Sequence, residues 1–463
     1  MDVDKDFDKE FGRVKSSKPN ASQIIEEASE QIIKDHTFIT IEETGEILYY
    51  DNGVYVPGGD ILIAKECEKM FNYDLNTERL SQIKGHIMRR TYHKHEELDA
   101  DTNIINLKNG LYDIDNDILK DHTPDYLSIN QKPITYIKGA KPKRLGSFLY
   151  EVLYPRNVRT AVEAMAYTFH RDYDIAETVF ILLGIGNNGK SVYTSTLTAL
   201  HGPDNVSNVP LSEILGDRFA LSDMENKDIN IDNELTRQNI KETAVLKRLT
   251  GGSRQRIRIQ RKNQRAYDVT LYTKLFFNAN ELPDSNDRSY AYSRRVMLIS
   301  FPYMFEGTTA DRQLISKLTT EEEKSGIFNI LMIALRRIRK TKDIYADEKT
   351  IEEKRIKYER SVNPVSVFCE EAIAENSVLD DYVPKIQFHE AYQTYCKKYS
   401  LPIEKYDNFC KIVKNKIDLE TTKKKDLKGN RVNCWKGIKL TPEYAPKTEQ
   451  TTLLDLEEAD LLR

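Results

Sequence analysis

One short segment of the chain has the residue types and spacing of a phosphate-binding loop. Residues 184–191 read Gly-Ile-Gly-Asn-Asn-Gly-Lys-Ser and match the pattern G-x-x-x-x-G-K-[ST] in full. In such a loop, backbone N–H groups surround the phosphates, and the N-terminus of the next helix adds partial positive charge. Lys190 would reach the β- and γ-phosphates, and Ser191 would hold Mg²⁺. The predicted nucleotide-binding residues are Gly184, Gly186, Asn187, Asn188, Gly189, Lys190, Ser191 and Val192.

The segments on either side of this loop are of the types that the motif requires. The apolar, β-branched run 178–183 predicts a buried strand that leads into the loop. Residues 191–200 are compatible with a helix, which Gly202 and Pro203 would end. A strand, a glycine-rich loop and a helix in this order make a chance glycine-rich turn an unfavourable explanation, and we therefore expect a nucleoside triphosphate site.

Hydrolysis of a bound triphosphate requires a carboxylate near Mg²⁺ and a group that activates water. The run 228–234 alternates so that Ile229 and Ile231 share one face, which predicts a strand that ends in acidic residues. Asp232 would bind Mg²⁺ through its water shell, and Glu234 would orient and deprotonate the attacking water. Strands with acidic ends are common, so this assignment depends on the position of the strand downstream of the phosphate loop.

Polar and basic side chains follow at the ends of two more predicted strands. Asn280 ends the apolar run 274–280, where it would contact the γ-phosphate or the attacking water, or would simply begin a turn before Pro283. Arg294 and Arg295 precede the next apolar run. These arginines are either surface charges or arginine fingers that project into the site of a neighbouring subunit.

A basic hairpin is predicted between the acidic strand and the asparagine strand. Residues 254–265 contain six basic residues and no acidic residue. An alternating strand, a polar turn and a returning strand would expose this charge, and contact with a nucleic-acid backbone is favoured over a solvated basic face. The predicted DNA-binding residues are Arg258, Arg261, Lys262 and Arg265.

Composition limits the class of protein. The chain has 463 residues, 39% of them hydrophobic and 31% charged, which indicates more than one soluble globular domain. The net charge of −4 provides no global attraction to DNA, so local basic patches must supply any contact. Five scattered cysteines favour a reducing, cytoplasmic location over a disulfide framework, and no run is long and apolar enough to span a membrane.

The pattern of elements predicts an α/β fold with a central parallel sheet, preceded by a mainly helical domain and followed by a winged-helix domain. The predicted divisions are a flexible or helical tail at 1–35, a small α+β domain at 36–98, a mainly helical region at 99–176, a nucleotide-binding core at 177–345, a linker at 346–363, a winged-helix domain at 364–445 and an acidic tail at 446–463. Within the region 99–176, a small β element is predicted around 104–114.

The winged-helix prediction depends on the order of patterns near the C-terminus. Helical patterns at 365–376, 385–399 and 404–417 precede two strand-like runs at 418–426 and 431–440. Three helices followed by a hairpin is the order of a winged helix. The hairpin is rich in lysine, so the domain would either contact DNA phosphates or dock on another protein.

Taken together, these motifs resemble superfamily 3 helicases, and more closely the helicase half of phage, plasmid and poxvirus-type primase-helicases. The resemblance depends on the order GIGNNGKS, an acid-ended strand, KRLTGG with the basic hairpin, FFNANELP and SRRVMLISF, and it covers about residues 100–440. It implies an AAA+ ATPase that works as a ring, usually a hexamer, with ATP sites between subunits.

The resemblance also implies residue roles. Lys190 and Ser191 match the residues that bind phosphates and Mg²⁺, Glu234 the catalytic acid, and Asn280 the sensor asparagine. Arg294 is preferred over Arg295 as the arginine finger. Many relatives have a small residue at the position of Asp232 and leave the Mg²⁺ role to the acid that Glu234 matches.

The expected function is therefore an ATP-dependent DNA helicase or translocase in the replication of a virus, plasmid or other mobile element. Its expected partners are single-stranded or forked DNA, copies of the same chain, and a separate primase or initiator. The segment before the matched region is too short for the primase domain of many relatives, so we expect no primer synthesis. The alternatives are a non-unwinding AAA+ motor that loads or packages DNA and a small-molecule kinase; the kinase would have no use for the basic hairpin.

Overall fold

The computed structural model describes residues 20–217, 219–235, 244–262, 265–282, 294–305, 311–399, 401, 403–417, 419–425 and 430–445. Two predicted features lie outside these residues, namely the first part of the N-terminal tail and the acidic segment 446–463.

An N-terminal unit combines three helices with a four-stranded sheet. The helices are α1 (Ala21–Asp35), α2 (Gly59–Phe71) and α3 (Thr77–Arg90), and the strands are β1 (Phe38–Ile41), β2 (Ile47–Asp51), β3 (Val54–Pro57) and β4 (Tyr92–His93), in the order β3-β2-β1-β4. Asn52 and Gly53 form the turn that joins β2 to β3, with positive φ at both residues, as a two-residue hairpin requires.

Helix α1 belongs to this unit. Asn20 caps the helix, and Ile32 packs into one apolar cluster with Ile63 and Ile83. The prediction that part of the segment 1–35 is helical is therefore confirmed. The prediction that this segment is a tail separate from the domain at 36–98 is wrong, because a helix with a buried apolar face is part of the core that it covers.

A second four-stranded sheet follows in the region 99–176, which was predicted to be mainly helical. Its strands are β5 (Ile104–Leu107), β6 (Gly110–Asp113), β7 (Ile118–Lys120) and β8 (Gln131–Lys132), in the order β7-β6-β5-β8. Strands β5 and β6 confirm the predicted β element around 104–114. Asp113 stabilises the β6–β7 turn by accepting hydrogen bonds from Asn103, Asn116 and Lys120. Only the second half of region 99–176 is helical, in α4 (Leu145–Val152) and α5 (Pro155–Tyr167).

The region 177–345 is built on a central parallel sheet, as predicted, and this sheet has five strands. Its strands are β9 (Val179–Leu183), β10 (Val206–Ser207), β11 (Ile229–Leu235), β14 (Lys274–Ala279) and β15 (Val296–Ser300), in the order β10-β11-β14-β9-β15. The central strands β9 and β14 are almost entirely buried, which is why they read as continuous apolar runs.

Helices surround this sheet, and a small hairpin extends from it. The helices are α6 (Lys190–His201), α7 (Leu211–Gly216), α8 (Ala244–Leu249), α9 (Leu314–Leu318) and α10 (Glu321–Thr341), and the hairpin strands are β12 (Ile257–Ile259) and β13 (Tyr267–Val269). Helix α10 shares the main apolar cluster with helix α5 and strand β9, through residues such as Phe328, Met165 and Phe180.

A buried ionic network connects the second sheet to the core. The carboxylate of Asp228, just before β11, accepts hydrogen bonds from Lys132 (2.5 Å), His201 (2.8 Å) and Asn130 (3.2 Å). Burial alone would raise the pKa of Asp228, but the charges of Lys132 and His201 hold it well below its usual range. These contacts join three segments that are far apart in the sequence.

A second buried cation, Lys274, opens β14. Its ammonium group donates to the carbonyl oxygens of His170 (2.7 Å), Asp172 (2.8 Å) and Tyr272 (2.8 Å). Lys274→Met is expected to lower the free energy of unfolding by about 2–4 kcal/mol, because three buried carbonyl groups lose their donor. Urea titration of the variant checks this value. The exposed Lys65→Met is the control and should stay within about 0.5 kcal/mol of wild type; equal midpoints for the two variants would contradict the assignment.

A helix occupies much of the predicted linker. Helix α11 (Ile351–Val362) begins with a capping box in which Thr350 and Glu353 bond each other's backbone N–H groups. The prediction of a linker at 346–363 is thus wrong for residues 351–362, and the Thr-x-x-Glu spacing was the available signal.

The C-terminal unit, residues 364–445, contains helices α12 (Pro364–Ala372), α13 (Lys385–Tyr399) and α14 (Tyr406–Ile412) and strands β16 (Tyr382–Pro384), β17 (Thr421–Lys425) and β18 (Arg431–Lys436). The antiparallel sheet has the order β16-β18-β17. Trp435, Phe368 and Phe388 share the core. The three helices and the hairpin match the predicted order, whereas β16 was not predicted. Among the described residues, no helix combines the length and apolar character needed to cross a membrane.

Candidate nucleotide site

Residues 184–189 connect the end of β9 to the start of α6. Gly186, Asn187 and Gly189 have positive φ values of 62°, 44° and 91°. Glycine is required sterically at two positions: a Cβ on Gly184 would lie 2.5 Å from the carbonyl oxygen of Phe301, and one on Gly189 would lie 2.7 Å from a methyl carbon of Val152. The loop therefore makes tight turns with left-handed φ at three residues, a backbone conformation typical of anion-binding loops.

Lys190 lies across the mouth of the loop. Its Nζ donates to the carbonyl oxygen of Gly184 at 2.5 Å and to Oδ1 of Asn280 at 3.2 Å. Burial lowers the pKa of Lys190 to about 8. Both of these acceptors are neutral, so a phosphate would supply the negative charge that they lack. The residues present fit a triphosphate.

The sheet order explains why Asn280 is close to Lys190. Strand β14 lies directly beside β9, in parallel, with Ala279 paired to Leu183. Asn280 follows β14, and its side chain therefore reaches the carboxyl edge of the sheet, where open α/β sheets bind ligands. The structure thus brings together two residues that the sequence analysis selected from segments 90 positions apart.

The two predicted acids on β11 have different environments. Asp232 is buried and accepts hydrogen bonds from the backbone N–H groups of Leu211 (2.9 Å) and Glu234 (3.1 Å). Glu234 is exposed near the carboxyl end of β11, the strand on the other side of β14 from the loop strand β9. Because backbone donors already engage both oxygens of Asp232, the geometry favours Glu234 as the acid that faces the nucleotide.

Hard oxygen donors are available for Mg²⁺. Ser191 lies in the first turn of α6 and is exposed, as is Glu234. Among the described residues, no group of three or more His, Cys, Asp or Glu side chains forms a cation site. A hydroxyl group and one or two carboxylates suit Mg²⁺ when phosphate oxygens and water complete the octahedron. Ser191 and Glu234 would hold the ion in this way, and Asp232, whose oxygens already accept backbone hydrogen bonds, would reach it only through a bound water.

Arg294 and Arg295 lie just before β15, at the amino end of the parallel strands, opposite the end that carries the phosphate loop. The carbonyl oxygen of Arg295 accepts a hydrogen bond from the N–H of Val179, at the start of β9. Five strand residues at about 3.3 Å each place this end about 16 Å from the phosphate loop. Glu177 forms ion pairs with both arginines. The side chain of Arg294 is 42% exposed and that of Arg295 only 10%, so Arg294 is the one available to a neighbour.

The predicted basic hairpin is present. Strands β12 and β13 pair antiparallel, with Ile257 opposite Val269 and Ile259 opposite Tyr267. The isoleucines are buried, and Arg258 between them is exposed, so the strand presents its basic side outward. Lys262 and Arg265 are also exposed.

Arg261 differs from the other three predicted DNA-binding residues. Its guanidinium group donates to Glu225 Oε2 at 2.8 Å, and the hydroxyl group of Tyr267 donates to the same oxygen at 2.6 Å. Arg261 thus anchors the hairpin to the core, and its ion pair with Glu225 must open before it can reach a phosphate.

The sequence analysis did not find the cavity next to the loop. A cavity of about 960 Å³ extends from Gly184 and Gly186 past Tyr154 and Tyr303 toward the C-terminal unit. Its wall comes from six separate stretches of chain, and no single sequence pattern signals such an arrangement.

Comparisons with known proteins extend the resemblance toward the N-terminus. Residues 5–154 match a family model described as D5 N terminal like, and residues 182–295 match one described as a family of unknown function (DUF5906). The first match fits a relationship to phage primase-helicases and includes the region before residue 100, for which the sequence analysis found no resemblance. No curated protein matches the chain.

Solved structures give a distant likeness. The apo structure of NrS-1 C terminal region (305-718) is 12% identical, with a TM-score of 0.45, and covers 89% of this chain and 98% of its own. The A form apo structure of NrS-1 C terminal region-CTR has a TM-score of 0.44 with the same identity and coverage. A likeness at this distance does not indicate a function.

Proposed function

We propose that this chain is an ATP-dependent DNA helicase or translocase of superfamily 3, which acts in replication as a ring with Mg²⁺-ATP sites between subunits. One observation carries the proposal. Lys190 lies at the carboxyl end of the strands of the parallel sheet, and Arg294 lies at their amino end. A single chain therefore has the phosphate-binding half of a site and an arginine that cannot reach that half.

A head-to-tail ring brings these two ends together. In such an assembly, each subunit presents one surface to a different surface of the next, and a closing rotation makes a ring. Arg294 of one subunit would then face the triphosphate held by Lys190 of the next and stabilise charge in the transition state. Glu234 would activate water, and Asn280 would help to position it.

The remaining architecture supports an AAA+ core and a winged-helix domain. The asparagine strand β14 lies between the loop strand β9 and the acid strand β11, so the loop, Asn280 and Glu234 follow one another along a single edge. The C-terminal unit combines three helices with a three-stranded sheet. The β17–β18 hairpin of this sheet exposes basic residues: Lys423, Lys424, Lys425 and Arg431. We propose that this hairpin contacts DNA or a separate primase or initiator.

The basic hairpin gives a specific prediction about DNA. The double variant Arg258→Ala/Lys262→Ala is expected to lower unwinding of a forked duplex about tenfold or more and to leave basal ATPase activity within about twofold, because both side chains are exposed and outside the nucleotide site. The slope of log K against log salt should become shallower by about 1.4–2, as two phosphate contacts are lost. Fluorescence anisotropy with labelled DNA measures this slope.

The matched control is Lys65→Ala/Arg89→Ala, which removes two exposed charges from the N-terminal unit. Its salt slope and unwinding rate should equal those of wild type. Full unwinding by the hairpin variant would contradict the DNA assignment. Basal ATPase activity without any strand displacement by wild type would favour the non-unwinding motor instead.

A further inference from the structure

The cavity beside the phosphate loop is shared by two parts of the molecule. On the core side it is lined by Gly184, Gly186 and Asn188 of the loop and by residues 300–304 after β15. On the other side it is lined by residues 360–366, where α11 meets α12, and by Glu404 and Asn408 of the C-terminal unit. Its volume of about 960 Å³ is within the range of small-molecule sites, about 300–1,000 Å³.

The core side presents an exposed apolar surface right next to the loop. Ile185 is 60% exposed, Tyr303 42% and Met304 53%. The ring of Tyr303 lies 5.7 Å from the ring of Tyr154, at an interplanar angle of 55°. Exposed large apolar side chains in a concave surface mark a ligand site, and an aromatic ring offers a stacking face to a nucleobase.

The opposite wall is polar and held in place. The guanidinium group of Arg360, near the end of α11, lies 3.8 Å from the ring centre of Tyr399 and forms an ion pair with Glu371 at 2.7 Å. These contacts fix α11 to the C-terminal unit. Asn408 donates to Glu404 at 2.6 Å, which adds amide and carboxylate groups suited to ribose hydroxyls or exocyclic amines.

The loop residues Gly184, Gly186 and Asn188 line this cavity, so a triphosphate held by Lys190 at the same loop would leave room for its nucleoside to extend into the cavity. We propose that the base stacks on Tyr303 inside the cavity and that the C-terminal unit forms the far wall of the nucleotide site. The inference rests on the proposed function and adds to it: nucleotide binding holds the C-terminal unit against the core. Because such coupling is reciprocal, displacement of the C-terminal unit from the core weakens nucleotide binding by the same factor by which bound nucleotide favours contact between the unit and the core.

Paired ligands test where the nucleoside binds. The affinities of a non-hydrolysable ATP analogue and of inorganic triphosphate are measured by calorimetry on the full chain. Tyr303→Ala is expected to lower the affinity for the ATP analogue roughly 5- to 100-fold, the range for loss of one base–aromatic stack. The affinity for inorganic triphosphate should stay unchanged. Lys190→Ala should weaken both ligands. Tyr303→Phe should restore affinity for the analogue, and Tyr73→Ala, at a tyrosine that is 98% exposed elsewhere, should match wild type.

Hydrogen exchange tests the role of the C-terminal unit. In wild type, the ATP analogue should slow amide exchange in residues 360–366 and 403–412, and inorganic triphosphate should not. In Tyr303→Ala, this slowing of amide exchange should be lost at concentrations of the ATP analogue that saturate wild type. Unchanged exchange in 403–412 with the analogue bound, or equal loss of both ligands in Tyr303→Ala, would overturn the inference.

The two proposals fail separately. A chain that binds the analogue through Tyr303 and protects 403–412, yet displaces no strand from forked DNA, supports the cavity assignment and contradicts the helicase. A chain that unwinds DNA with wild-type affinity for the analogue in Tyr303→Ala supports the helicase and contradicts the cavity assignment.

Discussion

Lys190→Ala is expected to lower ATP turnover by about 10²- to 10³-fold, the loss seen when one preorganised donor to developing charge is removed. The physical reason lies in the position of the ammonium group, which Gly184 and Asn280 hold across the mouth of the loop. Steady-state phosphate release measures the effect. Strand displacement should fall with it, because the same hydrolysis drives motion on DNA.

The exposed Lys65→Ala is the control for loss of a lysine charge and should retain full turnover. A second comparison uses Asn280→Ala, which removes one of the two observed acceptors of Lys190 and keeps the lysine. Its turnover should lie between those of wild type and Lys190→Ala. Turnover near wild type in Lys190→Ala would rule out the loop as the site of hydrolysis.

Local pattern was sufficient to predict the centre of the fold. Strands β9 and β14 read as continuous apolar runs because both of their faces are buried, and the loop motif fixes the helix that follows. The proximity of Asn280 to Lys190 follows once these strands are parallel neighbours, since parallel strands end on the same edge.

Other features depend on contacts between distant segments. In the second sheet, the strands β7 and β8 were not predicted, because they have only three and two residues, too few to show a period. The ion pair that holds Arg261 joins residues 36 positions apart, and no local signal distinguishes Arg261 from Lys262. The cavity wall likewise depends on how the C-terminal unit packs against the core.

The largest effect is expected at Arg294, which the proposed ring places at the interface between subunits. Arg294→Ala should lower the ATPase activity of the assembled ring by about 10³-fold or more, the range for loss of an arginine finger. The phosphate loop is unchanged in this variant, so binding of an ATP analogue should stay within about threefold of wild type, whereas Lys190→Ala should lose binding as well. Arg89→Ala, at an exposed arginine of the N-terminal unit, is the control and should hydrolyse ATP at the wild-type rate.

Mixing two inactive variants separates a shared site from a site within one chain. A site between subunits takes its loop from one chain and its arginine from the next. In a random 1:1 mixture of Lys190→Ala and Arg294→Ala chains, about one quarter of the interfaces therefore combine an intact loop with an intact arginine. ATPase activity should recover to a similar fraction of wild type if the sites work independently. If both residues served a site within the same chain, every chain in the mixture would be defective and no activity would return. Because Arg294 lies about 16 Å from the loop of its own chain, we expect recovery.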